Sequence, residues 1–248
     1  MLDELIVIPA RYNSTRLPGK PLIQIGGLPM IVQTHARCLE ALPRDQIVVA
    51  TDDDRIAEVC RTNDIRCEMT ASDHPTGGDR VAEVAQRIAA KTYINVQGDE
   101  PVCNPADIRL LIDAAREHRD RTIIGYCDLS GEAEWRDPNC CKLLFGRGGA
   151  LIYIGRAPVP ATRSGEFSIG YRQICLHAYP GEALAAFARV GGKSELEAIE
   201  DHEMLRFLEL GRTVHVIRMS NQSIPVDRPG DVARAEAVLA RMKAPKAV

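Results

Sequence analysis

The chain has 248 residues, of which 45% are apolar and 26% are charged, as in an ordinary globular protein with one large domain. Its net charge of -3, without a long basic run, argues against nucleic acid as the main partner. No apolar stretch approaches the ~18 residues of a membrane span, and no signal peptide is evident, so we expect a cytoplasmic protein with no membrane partner. The eight cysteines form no C-x-x-C pair, which predicts reduced thiols.

Strands and helices alternate through the first half of the chain. Apolar runs predict strands, and capped or periodic segments between them predict helices. The predicted strands are 5–8, 46–50, 66–69 and 92–96, and the predicted helices are 30–42, 54–63, 78–90 and 105–117. This alternation predicts an α/β fold, with a Rossmann-like, three-layer, mostly parallel sheet and helices on both faces.

From about residue 120 the pattern changes to short apolar runs separated by glycine and proline. The predicted strands are 123–127, 141–145, 150–154 and 171–179, with an exposed loop at 156–170. Helices are predicted again at 181–189, 194–210 and 232–242, around a strand at 214–218. We therefore expect a single domain, 1–248, in which residues 123–180 form a smaller, more antiparallel, β-rich lobe.

The segment after the first strand places three cations, Arg11, Arg16 and Lys20, within ten residues, together with Ser14. Pro18 excludes a helix interior there. Ligands of open α/β sheets bind at the carboxyl ends of strands, and arginine and lysine suit phosphate oxygens. We interpret the segment as a polyphosphate-binding loop, with a solvated basic loop as the alternative.

Two carboxylates follow predicted strands. Asp99 lies in the segment 97–101, and Asp227 lies in the segment 224–229. Magnesium is commonly held by a few carboxylates plus substrate phosphate oxygens. The pair therefore predicts a Mg²⁺ site beside the cation-rich loop, although either aspartate alone is more typical of a helix cap.

The segment from Thr76 to Arg80, Thr-Gly-Gly-Asp-Arg, opens a predicted helix. Its free backbone N–H groups could seat a nucleotide base or phosphate, and a simple N-cap is the alternative. The chain has neither the G-x-G-x-x-G of a dinucleotide dehydrogenase nor the G-x-x-x-x-G-K-[ST] of a P-loop NTPase. It also lacks the G-x-S-x-G turn of an α/β-hydrolase.

Several motifs in this order closely resemble the 3-deoxy-manno-octulosonate cytidylyltransferases, or CMP-Kdo synthetases. The resemblance covers nearly the whole chain, and its most specific parts are the opening motif and the segment around Asp99. The matching segments are 8–22, Gly27-x-Pro29-Met30-Ile31, 48–52, 69–70, 95–101, Pro138-Asn139-x-x-Lys142 and Val226-Asp227-x-Pro229-x-Asp231.

The resemblance implies a reaction in which the anomeric hydroxyl of an acidic sugar attacks the α-phosphorus of CTP and releases pyrophosphate. It implies Mg²⁺ on Asp99 and Asp227, and catalytic roles for Arg11, Arg16 and Lys20 on the phosphates. It also implies a homodimer, and it implies that the β-rich lobe of residues 123–180 serves acceptor binding and dimerisation. The nucleotide-binding positions implied are Pro9, Ala10, Arg11, Ser14, Lys20, Thr76, Gly77, Arg80 and Gln97.

The acceptor half departs from the family pattern. The sugar-binding strand, often Arg-His-x-Gly-x-Tyr, has Gln173 and His177 at the variable polar positions, and Met204 after Glu203 stands where many members have glutamine. The predicted acceptor-binding residues are these four. The acceptor is expected to be Kdo, an amino-deoxy analogue, another keto-acid sugar or a phosphonate, and a non-catalytic nucleotide-binding homolog is the alternative from another class.

Overall fold

The computed structural model describes residues 1–14 and 17–243, so Arg16, one of the predicted catalytic residues, lies outside the described residues. The strands are β1 Leu2–Ala10, β2 Gln24–Ile25, β3 Leu28–Pro29, β4 Ile47–Thr51, β5 Cys67–Met69, β6 Ala90–Val96, β7 Thr122–Asp128, β8 Lys142–Phe145, β9 Leu151–Gly155, β10 Tyr171–Pro180 and β11 Val214–Arg218.

Helices precede or follow most of these strands. The helices are α1 Met30–Leu39, α2 Asp54–Thr62, α3 Gly77–Ala85, α4 Pro105–Glu117, α5 Glu132–Arg136, α6 Gly181–Ala188, α7 Glu195–Glu200, α8 Met204–Glu209 and α9 Pro229–Lys243. Two short 3₁₀ turns, Lys20–Leu22 and Arg44–Gln46, precede α1 and β4. Within the described residues, no helix is both long and apolar enough to span a bilayer.

Within the described chain, nine strands form one sheet with the path β11-β7-β10-β6-β1-β4-β5, and β8 and β9 extend it from β10. Strands β6, β1, β4 and β5 run parallel, and β10 is antiparallel to both β6 and β7. The parallel strands therefore end at one edge of the sheet, and β10 begins at that same edge. Loops after β1, β6 and β11 meet there with the first half of β10.

Side chains of β1 alternate between two apolar layers. Ile6 and Ile8 pack with α1, α2 and α4 on one face, and Leu5 and Val7 pack with α3, α6 and α8 on the other. All four are fully buried, which is typical of a parallel strand covered on both faces. The predicted three-layer α/β fold is confirmed.

A separate two-stranded hairpin, β2–β3, lies beside α9. Its two-residue turn, Gly26-Gly27, has φ values of 59° and 85°, which only glycine adopts readily. Ile25 packs there with Ala235 and Leu239 of α9 in a small apolar cluster. This contact holds the carboxyl-terminal helix near the segment that carries Asp227.

The prediction of one helix over 194–210 is wrong. The structure has two helices, α7 and α8, separated by Asp201, whose φ of 53° is left-handed and ends α7. The predicted helix 78–90 is also too long, because Ala90 pairs with Leu2 and begins β6. Sheet pairing overrides the helical propensity of this alanine-rich segment. The short helix α5 was not predicted.

The strands predicted for residues 123–180 all form. Two of them, β7 and β10, lie inside the main sheet, and β8 and β9 form an antiparallel pair joined to β10 through Arg172 and Lys142. Residues 156–170 contain no helix or strand, as expected for an exposed loop. A role for this part of the chain in acceptor binding or dimerisation stays a prediction.

Candidate functional site

The ends of β1 and β6 deliver the first group of site residues. Pro9 and Ala10 end β1, and Gln97 and Asp99 follow β6. The residue between Gln97 and Asp99 is Gly98, whose backbone approaches β1 closely. The Gly98 N–H donates to the Pro9 carbonyl at 3.3 Å, and a Cβ at this position would lie only 2.8 Å from that oxygen. This close approach brings the two loop starts together.

The turn before α3 closes over these strand ends. Thr76 caps the helix: its hydroxyl accepts from the Asp79 N–H at 3.2 Å, and the Asp79 carboxylate accepts from the Thr76 N–H at 3.2 Å. A Cβ on Gly77 would lie 3.0 Å from Gln97 Nε2 and 3.3 Å from Pro9 Cγ. The glycine therefore lets the turn lie directly against Pro9 and Gln97.

A cavity of about 270 Å³, the smaller cavity, lies among these loops. It contains every described residue that was predicted to bind nucleotide. Four further lining residues, Asn13, Pro21, His74 and Gly98, were not predicted. The predicted residues that line it are Pro9, Ala10, Arg11, Ser14, Lys20, Thr76, Gly77, Arg80 and Gln97.

Arg80 and His74 are fixed by their neighbours in the wall of the smaller cavity. Arg80 is 4% exposed, donates to the Thr70 hydroxyl and lies 3.4 Å from Asp52 Oδ1. Burial lowers the pKa of Arg80 despite Asp52 and Glu83. His74 Nε2 lies 2.5 Å from Glu83 Oε2. These contacts hold both side chains at the rim formed by α3.

Lys20 links the two carboxylates that were predicted to hold metal. Its Nζ donates to Asp99 Oδ2 at 2.5 Å and to Asp227 Oδ1 at 3.0 Å. The Val226 N–H donates to the Asp99 carbonyl at 2.9 Å and so pins the Asp227 segment to the loop after β6. Burial alone would lower the pKa of Lys20, but the two carboxylates outweigh it and raise that pKa above its usual value.

The donor chemistry of this pair fits a hard divalent cation. Asp99 and Asp227 both place a carboxylate oxygen within 3.0 Å of one point, the Lys20 nitrogen. Mg²⁺ takes such oxygens together with water and phosphate oxygens. Within residues 1–14 and 17–243, no group of three or more His, Cys, Asp or Glu side chains converges as a metal cage.

A second cavity of about 490 Å³, the larger cavity, adjoins the smaller one. The two cavities share five lining residues, which are Arg11, Thr76, Gln97, Asp99 and Asp227. Gln173, His177 and Glu203, three of the four predicted acceptor-binding residues, line the larger cavity. The carboxylates and Arg11 therefore lie where a group in one cavity would meet a group in the other.

Met204 is placed differently from the prediction. Its side chain is fully buried in the apolar core with Leu184 and Phe187, and it lines neither cavity. Because α8 begins at Met204, Glu203 faces the cavity while the next residue turns into the core. Met204 is thus a core residue, and its difference from the family pattern does not alter the cavity wall.

Arginines and carboxylates both line the larger cavity. The arginines are Arg11, Arg156, Arg172, Arg228 and Arg234. Several carboxylates there already have partners: Glu134 pairs with Arg172 at 3.0 Å, and Asp231 pairs with Arg234 at 3.0 Å. Sequence reasoning missed Arg156, although its position directly after β9 was a usable signal.

Buried polar side chains form a continuous chain along one wall of the larger cavity. His202 Nε2 lies 2.5 Å from Gln173 Oε1, and Gln173 Nε2 lies 2.5 Å from His177 Nε2. His177 Nδ1 lies 2.8 Å from the Tyr179 hydroxyl, which donates to Glu203 Oε1 at 2.5 Å. Although burial opposes it, the pKa of Glu203 is lowered to about 2 by His177 and Tyr179, and burial lowers that of His202 to about 3.

Glu203 and Arg206 tie this wall to the turn before α3. Glu203 Oε2 accepts from the Gly78 N–H at 2.7 Å. The fully buried Arg206 donates to Asp79 Oδ1 at 2.6 Å and to Glu197 Oε2 at 2.6 Å. Helix α8 therefore touches both the wall of the larger cavity and the cap that shapes the smaller one.

Comparisons with known proteins agree with this geometry. The cytidylyltransferase family model matches residues 5–214. The 3-deoxy-manno-octulosonate cytidylyltransferase of Syntrophotalea carbinolica is 41% identical, covering 94% of this chain and 97% of that protein. The enzyme of the same name from Escherichia coli is 32% identical, covering 97% of this chain and 98% of that protein.

A solved structure shares the fold over nearly its whole length. It is CMP:2-keto-3-deoxy-manno-octonic acid synthetase in complex with CTP, with a TM-score of 0.88 and 32% identity, covering 96% of this chain and 99% of that chain. The resemblance that the motifs indicated is confirmed. This chain belongs to the 3-deoxy-manno-octulosonate cytidylyltransferase family.

Proposed function

We propose that this chain transfers the cytidylyl group of CTP to the anomeric hydroxyl of Kdo or of a Kdo-like acidic sugar. The hydroxyl oxygen forms a bond to the α-phosphorus as it loses its proton, and the bond from that phosphorus to the bridging oxygen of pyrophosphate breaks. The products are a CMP-sugar and pyrophosphate. Curated relatives of this name and a CTP-bound structural relative support the proposal.

The observation that carries the proposal is the junction of the two cavities. The predicted nucleotide-binding residues line the smaller cavity, and side chains of β10 line one wall of the larger cavity. Arg11, Gln97 and Asp99 line both. A nucleotide in one and an acid in the other would meet at this junction, where held geometry can replace an improbable bimolecular encounter.

Electrostatic repulsion is the main obstacle to the reaction, because a carboxylated acceptor must approach a triphosphate. Arg11 at the junction and Lys20 in the smaller cavity supply positive charge to the phosphates. Asp99 and Asp227 would hold Mg²⁺, which when bound supplies further neutralisation of phosphate charge. In that state Lys20 would exchange its carboxylate partners for phosphate oxygens.

The acceptor side carries features of its own. Gln173 and His177 form a polar wall, and arginines such as Arg156 and Arg172 supply cations for an acid group. An amino-deoxy analogue of Kdo, another keto-acid sugar or a small phosphonate are the alternative acceptors. Pocket polarity alone discriminates strongly only where a site bonds a specific hydroxyl or amine.

We also propose a cytoplasmic homodimer. The support is the family resemblance, together with apolar side chains that are exposed on β9 and α7, namely Ile152 at 65% and Ile199 at 74%. The two elements adjoin, since the Tyr153 hydroxyl donates to Glu200 Oε1 at 2.6 Å. Light scattering on the purified protein, compared with Ile152→Asp, tests this; a monomeric wild type would refute it.

The function is tested by pyrophosphate release with CTP and Mg²⁺ across Kdo, its 8-amino analogue, other nonulosonic acids and small phosphonates. We expect turnover with at least one sugar acid, and little turnover with ATP or UTP in place of CTP. Turnover with another acid only would mean that the acceptor half has been respecialised. No pyrophosphate with any acceptor would favour a non-catalytic homolog.

A further inference from the structure

Tyr12 belongs to the cation-rich loop but lines neither cavity. Its neighbour Arg11 lines both cavities, and Lys20, which follows the loop, lines the smaller one. The half-buried ring of Tyr12 packs instead against the apolar layer formed with α1, α2 and α4. Tyr12 therefore contacts the loop from the side of the core, away from the space that a ligand would fill.

Tyr12 joins the two described ends of the loop. Its carbonyl accepts from the Gly19 N–H at 3.1 Å. Gly19 has a φ of 67°, and a Cβ there would lie 3.2 Å from both Cζ and the hydroxyl oxygen of Tyr12. Glycine therefore suits this position twice, through its backbone conformation and through the close ring. The 3₁₀ turn Lys20–Leu22 begins directly after this contact.

Arg55, from the first turn of α2, covers the Tyr12 ring. The carbon of its guanidinium lies 3.2 Å from the ring centroid. Asp53 fixes the guanidinium with two hydrogen bonds, from Nε to Oδ1 at 2.9 Å and from Nη2 to Oδ2 at 2.7 Å. A forked pair of this kind sets the plane of the guanidinium as well as its position. Helix α2 therefore holds a flat cation over the ring in one orientation.

The simpler interpretation of Arg55 is an exposed ion pair with Asp53, and such pairs contribute little to stability. The ring contact goes beyond such a pair, because it connects α2 to the loop that carries Arg11. A loop with free ends samples many conformations. A ligand that binds only one of them has its dissociation constant raised by the reciprocal of that conformation's fraction. Contacts that fix the loop therefore favour phosphate binding without touching a phosphate.

We propose that Tyr12 and Arg55 are positioning residues for the nucleotide, which hold the two ends of the loop together so that Arg11 and Lys20 already have the spacing that a triphosphate requires. This inference rests on the proposed function for the identity of the ligand as CTP. Without the contact between Tyr12 and Arg55, CTP must also pay for ordering the loop. At saturating CTP the ligand itself holds the loop, so kcat should not change.

The test measures binding of CTP and of cytidine by calorimetry, with Mg²⁺ and without an acceptor. Cytidine has no phosphates, so its affinity reports the smaller cavity without the cation-rich loop. Wild type and Arg55→Ala are compared with Arg61→Ala. Arg61 is a matched control because it is also an exposed arginine of α2, and its Nε donates to Glu58 Oε2 at 2.8 Å within the same helix.

We expect Arg55→Ala to weaken CTP binding by about two- to fivefold, the factor that corresponds to a cation–π contact at an exposed site, with cytidine affinity unchanged. The KM for CTP in pyrophosphate release should rise by a similar factor at constant kcat. Arg61→Ala should bind both ligands like wild type. Equal losses of CTP and cytidine affinity in Arg55→Ala, or CTP affinity equal to that of Arg61→Ala, would overturn the proposal.

Substitutions of Tyr12 test whether Arg55 acts through the ring. Tyr12→Phe keeps the ring and should bind CTP within about twofold of wild type, whereas Tyr12→Leu should lose at least as much affinity as Arg55→Ala. Adding Arg55→Ala to Tyr12→Leu should then cause no further loss, and additive losses would refute the coupling. Wild type that binds no CTP would refute the proposed function, and this inference with it. CTP binding that is equal in wild type and in all these variants would refute this inference alone.

Discussion

Lys20 Nζ donates to Asp99 Oδ2 at 2.5 Å, so a cation of the predicted phosphate loop lies against a carboxylate that was predicted to hold metal. The same ammonium reaches Asp227 Oδ1 at 3.0 Å. A divalent cation bound to these two oxygens would occupy the space that the Lys20 ammonium fills. Nucleotide phosphates offer the lysine a new partner, so metal and nucleotide binding should be linked at this point.

The linkage predicts opposite effects of one substitution on metal binding and on turnover. Lys20→Met removes the competing ammonium and should tighten Mn²⁺ or Mg²⁺ binding in the absence of nucleotide. It should lower kcat by about 10²-fold or more, because a charge that stabilises the phosphates is lost. Calorimetric metal titration and pyrophosphate release measure the two effects. Weaker metal binding in Lys20→Met would contradict the shared position.

Asp99→Asn should lower kcat by about 10²- to 10³-fold and weaken metal binding, with little change in thermal stability. Asp53→Asn serves as a control, because Asp53 caps α2 away from both cavities and accepts from the Arg55 N–H at 3.0 Å. Its loss should cost stability of at most about 1 kcal/mol and leave kcat intact. Retained turnover in Asp99→Asn would refute the metal assignment.

Arg206 predicts a large stability effect. It is fully buried, bonds both Asp79 and Glu197, and stacks over Phe187 with 3.7 Å from the guanidinium to the ring. Arg206→Met would leave the two carboxylates without their cation and should reduce the free energy of unfolding by about 3–5 kcal/mol. Urea denaturation measures this.

The matched control for Arg206 is Arg61→Met, which breaks an exposed ion pair with Glu58. Solvent screens the charges of such an exposed pair, so it contributes little to stability and this variant should unfold almost like wild type. Similar losses in the two variants would mean that the buried network contributes no more than a surface pair.

Gly78 cannot accept a side chain without moving Glu203. A Cβ there would lie 2.8 Å from Glu203 Oε2, which accepts from the Gly78 N–H. Gly78→Ala should weaken acceptor binding by about tenfold or more and lower thermal stability. Gly230→Ala, in α9, meets no heavy atom within 4 Å and should raise stability by about 0.5–1 kcal/mol. Unchanged acceptor affinity in Gly78→Ala would show that the turn before α3 does not influence acceptor binding through Glu203 in the wall of the larger cavity.

Met204→Gln distinguishes the core position from a cavity position. Because Met204 is fully buried among apolar side chains, the new amide would lose its water partners and should cost about 1–3 kcal/mol of stability. Acceptor activity should not rise. Met204→Leu, which keeps the volume, should cost less than about 1.5 kcal/mol. Increased activity on Kdo in Met204→Gln would show that this position does face the sugar.

Buried neutral histidines predict acid sensitivity. Burial lowers the pKa of His35 to about 4 and that of His202 to about 3, from an ordinary value near 6.5. Below about pH 6.5 the unfolded chain takes up these protons and the folded chain does not. Stability should therefore fall with pH through this window, by about 1.4 kcal/mol per pH unit for each histidine.

Glu203 also makes the folded protein less stable as the pH falls, but in a lower pH range. Its pKa of about 2 lies below the ordinary value near 4.5, so its stabilising contribution is present above about pH 4.5 and is lost as the pH falls toward 2.

Urea denaturation between pH 7 and 4 tests the prediction for the two histidines. His35→Gln should reduce the slope by about half, and an unchanged slope would contradict the assignment to His35.

Much of the site was predictable because its residues sit next to the strands that place them. Arg11 follows β1, and Gln97 and Asp99 follow β6. Parallel strands bring their carboxyl ends to one edge of a sheet, so adjacency in sequence becomes adjacency in space. The turn before α3 was predictable for a different local reason, since Thr76-Gly77-Gly78-Asp79-Arg80 is typical of a helix start, and the structure shows that Thr76 and Asp79 cap it.

The direction in which side chains of residues 194–210 point was harder to predict from the sequence. The pattern of 194–210 predicts one helix, yet a left-handed Asp201 divides it and turns Met204 into the core while Glu203 faces the cavity. A shift of one residue on a helix changes the facing direction by about 100°, which periodicity alone could not resolve in a short helix.

The sequence by itself determined the fold class and the family, and it predicted a phosphate loop, because alternation, turn chemistry and motifs are local properties of the chain. Only the tertiary structure decided how the predicted pair of Asp99 and Asp227 is held together, by the Val226 N–H and the Lys20 ammonium, and that Gln173 lies between His202 and His177. The physical reason is that these partners come from separate elements. Their distances depend on how β6, β10 and α8 pack, which no local pattern encodes.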